Sequence, residues 1–216
     1  MGPDGRTAGG GIARRVDVSG VVLLSYLTVL FGVVSLFTAV VQPLNQLTQQ
    51  GGQVRVRLTE QAERARLDVP GLVGGYLEPD PEAGAVLLTV ADLPAPLRLL
   101  TEAPATLTNL CAAVAAVLVF RLLRDARAGL PFTDRSPARL TALAVVVVVG
   151  GLGGQLLESV ARLVVLDHVG ATAGDGPVRL DASLDLGPLV VAVGILALAE
   201  AFRTGRRLSR DTEGLV

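Results

Sequence analysis

The sequence predicts an all-α transmembrane four-helix bundle with a small antiparallel β module formed by its extracytoplasmic loops. Three observations carry that expectation. Four long stretches are almost free of charge: Val18 to Val54, Ala103 to Phe120, Leu140 to Leu157 and Leu186 to Ala199. Arginines crowd into three alternating segments, and the segments between them alternate apolar and polar residues. Half of the 216 residues are hydrophobic and 18% are charged, against about 25% charged in ordinary soluble domains; mean hydropathy is +0.55. A helix crossing a bilayer core of about 30 Å needs roughly 20 mostly apolar residues, which makes this an integral membrane protein.

Taken in chain order, a tail at 1–17 carries Arg6, Arg14 and Arg15 and leads into a first helix at 18–41. That helix follows Arg14-Arg15 as a signal peptide would, but its length of about 23 residues exceeds the usual apolar region and no small-x-small cleavage site ends it, so an uncleaved anchor is expected. The extracytoplasmic loop at 42–102 holds Gln53-Val-Arg-Val-Arg-Leu-Thr59, which alternates with period two, and the β-branched run Ala85-Val-Leu-Leu-Thr-Val90. Both read as strands. Turn formers separate them at Val69-Pro-Gly71, Gly74-Gly75 and Glu78-Pro-Asp-Pro81. Helices are then expected at 103–123, at 139–166 with a protruding outer end, and at 186–203. The loop at 124–138 and the tail at 204–216 are basic, while 167–185 repeats the strand-like alternation in Val178-Arg-Leu-Asp-Ala-Ser-Leu-Asp-Leu186. Isolated hairpins are marginal, so three strands from the two outer segments are expected to pair.

Arginine decides orientation, because loops rich in Lys and Arg stay in the cytoplasm. The chain has no lysine, and 12 of its 19 arginines lie in the two tails, the 124–138 loop and the helix ends beside them. Both termini are therefore expected to be cytoplasmic in a multi-pass plasma-membrane protein. The basic segments beside the spans are read as contacts for anionic lipid rather than nucleic acid. The single cysteine, Cys111, excludes an intrachain disulfide.

The run Val145-Val-Val-Val-Val-Gly-Gly-Leu-Gly-Gly-Gln-Leu156 has two readings. A valine strand entering a glycine turn opens a dinucleotide-binding unit, yet Leu156 occupies the place of the third small residue and no separate strand and turn fit upstream. The cluster therefore reads as part of a membrane helix, in which Gly150 and Gly154, four apart, form a notch for a neighbouring backbone. Beyond it, Gln155, Glu158 and Arg162 fall on one helical face. Counting from Arg139 places Glu158 near the outer membrane edge, favouring an interfacial ion pair over an ion path. Glu200 reads the same way beside Arg203. Asn109 is expected to hydrogen-bond another helix. His168 is the only histidine and has no partners at metal-ligand spacing. No catalytic, cofactor or metal-binding constellation is recognised, so an enzyme is not expected.

The inner loop Ala128-Gly-Leu-Pro-Phe-Thr133 and the ending Ala199-Glu-Ala-Phe202, with Gly205, Leu208 and a terminal Val216, resemble a bacterial four-span membrane-protein family known as domain of unknown function 2975. Its members tend to carry a Gly-x-Pro-Phe segment between spans two and three, here Gly129, Pro131 and Phe132. They also carry Ala-Glu-x-Phe-x-x-Gly-x-x-Leu near the end, here with Glu200, Phe202, Gly205 and Leu208. Proline breaks the helix at that loop, and Ser136-Pro137 reads as the next helix start. The resemblance implies a partner such as a small cytoplasmic helix-turn-helix regulator. The leading expectation is thus a sensory or regulatory membrane protein. The alternative is a small transporter, channel component or immunity-type protein working through the Gln155–Glu158–Arg162 face, for which four spans would call for a homo-oligomer.

Overall fold

The computed structural model describes residues 9–48, 52–58, 76–79, 86–90, 93–128, 135–168, 178–179 and 184–213, with side chains described at 20–48, 93–128, 135–168 and 184–205. Four helices dominate: α1 (Gly9–Thr48), α2 (Ala95–Arg127), α3 (Ser136–His168) and α4 (Gly187–Glu213). All four contain a stretch long and apolar enough to cross a membrane: Gly20–Thr48, Ala95–Arg127, Ser136–His168 and Gly187–Gly205. At 1.5 Å per residue, a 33-residue helix such as α2 or α3 is about 50 Å long, well beyond the hydrocarbon core.

Local chemistry explains the ends. The carbonyl of Pro94 accepts from the backbone N–H groups of Leu97 and Arg98, opening α2, and Pro96 falls in the first turn, where a missing N–H costs nothing. α3 opens with the Arg139 N–H on the carbonyl of Arg135, and Pro137 lies in its first turn. Pro43 and Pro104 lie inside α1 and α2. Each removes one helical donor, a loss that membrane helices tolerate where neighbouring groups re-satisfy the backbone.

The distribution of side chains is that of a protein dissolved in lipid. Among the described residues six of the ten buried apolar side chains are alanines, Ala39, Ala116, Ala144, Ala161, Ala192 and Ala199, and Ser25 and Ser35 are buried as well. The large residues face outward: Leu23, Phe31, Phe37, Val145, Leu156, Val190 and Val193 are all exposed. In water this would be an extensive aggregation surface. In a bilayer it is the expected arrangement, since lipid tails solvate Leu and Val while small residues let helices approach. The chain is therefore a multi-pass membrane protein.

The helices distribute over two compact units. One comprises 1–36, 111–148 and 187–216. Within it Gly32 abuts Ala116 so closely that an added Cβ would lie 2.9 Å from the Ala116 Cβ. The Arg127 guanidinium donates to the carbonyls of Val21 and Val22 at 2.8 and 3.0 Å, and Arg139 forms an ion pair with Asp125. The other unit comprises 37–110 and 149–186 and holds the strands.

The expected fold class needs correction. The framework described at side-chain level is all-α, and a β module is not part of it. The segments expected to lie outside contribute backbone ladders: β1 (Gly52–Leu58), β2 (Tyr76–Pro79), β3 (Val86–Val90) and β4 (Val178–Arg179), in the order β2-β3-β1-β4 with every neighbouring pair antiparallel. Of the strand expected over 178–186, Val178 and Arg179 pair, with Leu58 and Arg57. Its far end is used otherwise. The Asp185 N–H donates to Gln155 Oε1 at 2.7 Å, and Gln155 Nε2 donates to the Asp185 carbonyl at 3.1 Å. Both ladder groups of that residue are thus taken by one carboxamide just ahead of α4. β2, conversely, occupies a stretch expected to turn; Pro79 is accommodated because β2 is an edge strand.

Candidate functional site

In the unit comprising 37–110 and 149–186, α2 presents Arg98, Glu102, Ala105 and Asn109, spaced four, three and four apart and so on one face. α3 presents Gly154, Gln155, Glu158, Ala161 and Arg162. The two helices meet at glycine. An added Cβ on Gly154 would lie 2.7 Å from Thr108 Oγ1 and 3.7 Å from the Pro104 carbonyl oxygen, and one on Gly153 would lie 3.3 Å from Leu107 Cδ2. Thr108 Oγ1 donates to the Gly150 carbonyl at 3.2 Å. A hydroxyl on one helix thus reaches the backbone of the other where glycine leaves room for it.

Where the helices part, they flank a partly open cavity of about 610 Å³. Thr101, Glu102, Pro104, Ala105, Thr108 and Asn109 line it from α2; Gly150, Gly151, Gly154, Gln155, Glu158, Ala161 and Arg162 line it from α3. Arg162 Nη2 donates to Glu158 Oε1 at 2.8 Å, with the Arg162 side chain 18% and the Glu158 side chain 47% exposed. Glu102 Oε1 accepts from Gln46 Nε2 at 2.8 Å, and Arg98 Nη1 donates to the Gln46 carbonyl at 3.3 Å. Arg98 stands one turn before Glu102 but is directed to α1. Among the described residues two carboxylates therefore line the cavity against one guanidinium.

Two further hydroxyls are committed to backbone, while Thr106 Oγ1 is buried without a hydrogen-bond partner. Thr101 donates to the Arg98 carbonyl at 2.7 Å, and Ser159, on α3, to the Gln155 carbonyl at 2.9 Å. Asn109 Nδ2 donates to the Ala105 carbonyl at 2.9 Å. The expected bond from Asn109 to another helix is thus corrected: the short side chain is satisfied one turn back on its own helix. Gln46 Oε1 and Arg98 Nε are buried without a hydrogen-bond partner. Among the described residues no group of three or more His, Cys, Asp and Glu is placed to hold a metal ion.

The structure brings the predicted Gly150, Gly154, Gln155, Glu158 and Arg162 together on this one cavity. Sequence reasoning missed its opposite wall. The signal was the Arg98–Glu102–Asn109 spacing, which straddles the expected start of the helix at residue 103 and so reads as loop followed by span. Of the predicted inner-face residues, Glu200, Phe202 and Gly205 are described at side-chain level. Glu200 pairs with Arg203 at 3.1 Å on an exposed face of α4, and Phe202 and Gly205 are half-buried. Leu208 belongs to α4, but its side chain lies outside the described residues, as do Gly129, Pro131 and Phe132 altogether. A smaller groove of about 220 Å³, lined by Thr28, Gly32, Leu36, Ala113, Ala116 and Phe120 among others, runs along α1 and α2 in the other unit; its walls are almost wholly apolar.

Neither the curated proteins nor the solved structures contain a match to this chain. A family model described as protein of unknown function (DUF2975) matches residues 84–216. That match takes in α2, α3 and α4, including both helical walls of the cavity and the segments that carry the Gly-x-Pro-Phe and Ala-Glu-x-Phe patterns. The chain is a member of the DUF2975 family.

Proposed function

We propose that the chain is a non-enzymatic membrane receptor that senses a small molecule and acts through a cytoplasmic partner, a small helix-turn-helix regulator. The observation that carries the sensory half is the polar cavity between α2 and α3. Its volume falls in the range of small-molecule sites, and its few convergent polar groups stand among apolar and glycine surfaces, as such sites do. The partner half rests on sequence: the arginine pattern assigns the 124–138 loop and the 204–216 tail to the cytoplasm, and the family patterns fall there.

Affinity purification of the tagged chain in mild detergent, followed by mass spectrometry, tests the reading. A DNA-binding protein should co-purify and be lost with Phe132→Ala. Repeated recovery of none, with the loops intact, removes the proposal. A reporter fusion placing Val216 outside the cell would remove the topology beneath it. One observation also favours a transport reading: Gln155, Glu158 and Arg162 all line the cavity. Under that reading, Glu158→Gln with Arg162→Gln abolishes flux; under the receptor reading, regulator recovery is unaffected by ionophores and no flux is measured in proteoliposomes.

A further inference from the structure

We infer that the cavity between α2 and α3 is selective for a small organic cation bearing a primary or secondary ammonium group, an inference that rests on the cavity being the receptor site. The argument is one of hydrogen-bond polarity. A hydroxyl has one hydrogen to give, and Thr101 and Thr108 have given theirs, to the carbonyls of Arg98 and Gly150; what they retain toward a ligand is lone pairs. Gln155 is occupied at both ends by Asp185. Asn109 uses its amide nitrogen on Ala105 and keeps Oδ1 as an acceptor. Lone pairs therefore predominate among the neutral lining groups, and the donors beside them are the second amide hydrogens of Asn109 and Gln155 and the guanidinium of Arg162, which is committed in part to Glu158.

Charge points the same way. Glu158 has Arg162, at 2.8 Å. Glu102 has the neutral amide of Gln46 as its hydrogen-bond partner, and among the described residues no cation lies within ion-pair distance of it. The nearest candidate in sequence, Arg98, donates to the Gln46 backbone instead. A carboxylate part-buried in a cavity without a cation is a costly arrangement unless a ligand supplies the charge. An ammonium group provides the charge that Glu102 lacks and donors for its carboxylate. Among the described residues no aromatic ring lines the cavity, and an aromatic cage is what favours quaternary ammonium. Pro104, Ala105, Ala161 and the glycine backbones offer an apolar bed for the rest of the molecule.

The test uses the full chain in phosphatidylcholine nanodiscs at pH 7, with equilibrium dialysis against three probes of one shape: 4-phenylbutylammonium, 4-phenylbutanol and 4-phenylbutanoate. Empty nanodiscs correct for partitioning into lipid. The ammonium probe should bind saturably and at least tenfold more tightly than the other two. Glu102→Gln should weaken it at least tenfold, and Glu102→Asp should restore most of the affinity. Equal binding of the alcohol, or ammonium binding unchanged by Glu102→Gln, overturns the inference. Saturable binding of the carboxylate that Ala105→Phe abolishes also overturns the ligand class, yet leaves the cavity as a receptor site. The regulator-recovery experiment fails or succeeds independently of all three probes.

Discussion

The approach of α2 to α3 at Gly154 makes a quantitative prediction about pairs of substitutions. In Gly154→Ala the new Cβ would lie 2.7 Å from Thr108 Oγ1, closer than real Cβ atoms come to a neighbour. The threonine hydroxyl can turn away, since it is the end of a short side chain, but it then gives up its bond to the Gly150 carbonyl. A hydrogen bond of this kind contributes about 0.5–1.5 kcal/mol, and interhelical ones in membranes average about 0.6 kcal/mol. Against that loss stands the helical preference for alanine over glycine, about 1 kcal/mol. Gly154→Ala alone should therefore change stability by less than about 0.5 kcal/mol. Thr108→Ala alone should cost about 1 kcal/mol. In the double variant the hydroxyl is already gone, so the alanine at 154 keeps its full benefit and stability returns close to that of the parent. The cycle should then show a coupling of about 1 kcal/mol, read from unfolding in mixed micelles followed by circular dichroism. Additive effects, closing the cycle to within about 0.3 kcal/mol, would mean that the two helices do not meet at this glycine.

Three further outcomes are expected. Gln155→Ala should raise the hydrogen-exchange rate of the Asp185 amide severalfold, because the Gln155 carboxamide is the acceptor for that N–H, and mass-resolved exchange will read it. Glu158→Gln should cost less than about 1 kcal/mol, since the half-exposed carboxylate is screened; Arg162→Ala should cost more in thermal unfolding, because a stem 18% exposed also loses packing. In the other unit, Arg139 and Asp125 are only 16% and 17% exposed. Replacing either alone by an isosteric neutral residue should destabilise more than replacing both, because one charge is otherwise left desolvated; melting of the four variants decides it.

The helices were legible because their signal is a bulk one. About 20 apolar residues in a row declare a span whatever their order, and the structure needs no more than that to carry α1 to α4. Their ends were less legible. α2 begins at Ala95, well before the expected residue 103, because the helix continues through Arg98, Thr101 and Glu102, where hydropathy no longer argues for it. The outer segments show the opposite failure. Period-two alternation at 178–186 reads as a strand, but a ladder also needs free backbone groups, and those of Asp185 are held by Gln155 from thirty residues upstream. Nothing in a local pattern reports a competing partner at that distance.

The cavity was half legible for a related reason. Gln155, Glu158 and Arg162 stand out because they interrupt an apolar helix, whereas Arg98 and Glu102 stand in a stretch where polar residues are unremarkable. What makes the second pair notable is position rather than type. Glycine at 150 and 154 draws α3 onto α2 at Thr108, and one to two turns farther along both helices the larger side chains at 101, 102, 158 and 162 hold the walls apart. Close approach at one level and separation at the next are what open a space between two helices that share a single interface. The glycine cluster therefore does more than pack: by fixing where α2 and α3 touch, it determines that the carboxylate of Glu102 faces a cavity also lined by Glu158 and Arg162. A substitution that moves the touching point, such as Gly154→Leu, should for that reason weaken probe binding at Glu102 although Glu102, Glu158 and Arg162 are all retained.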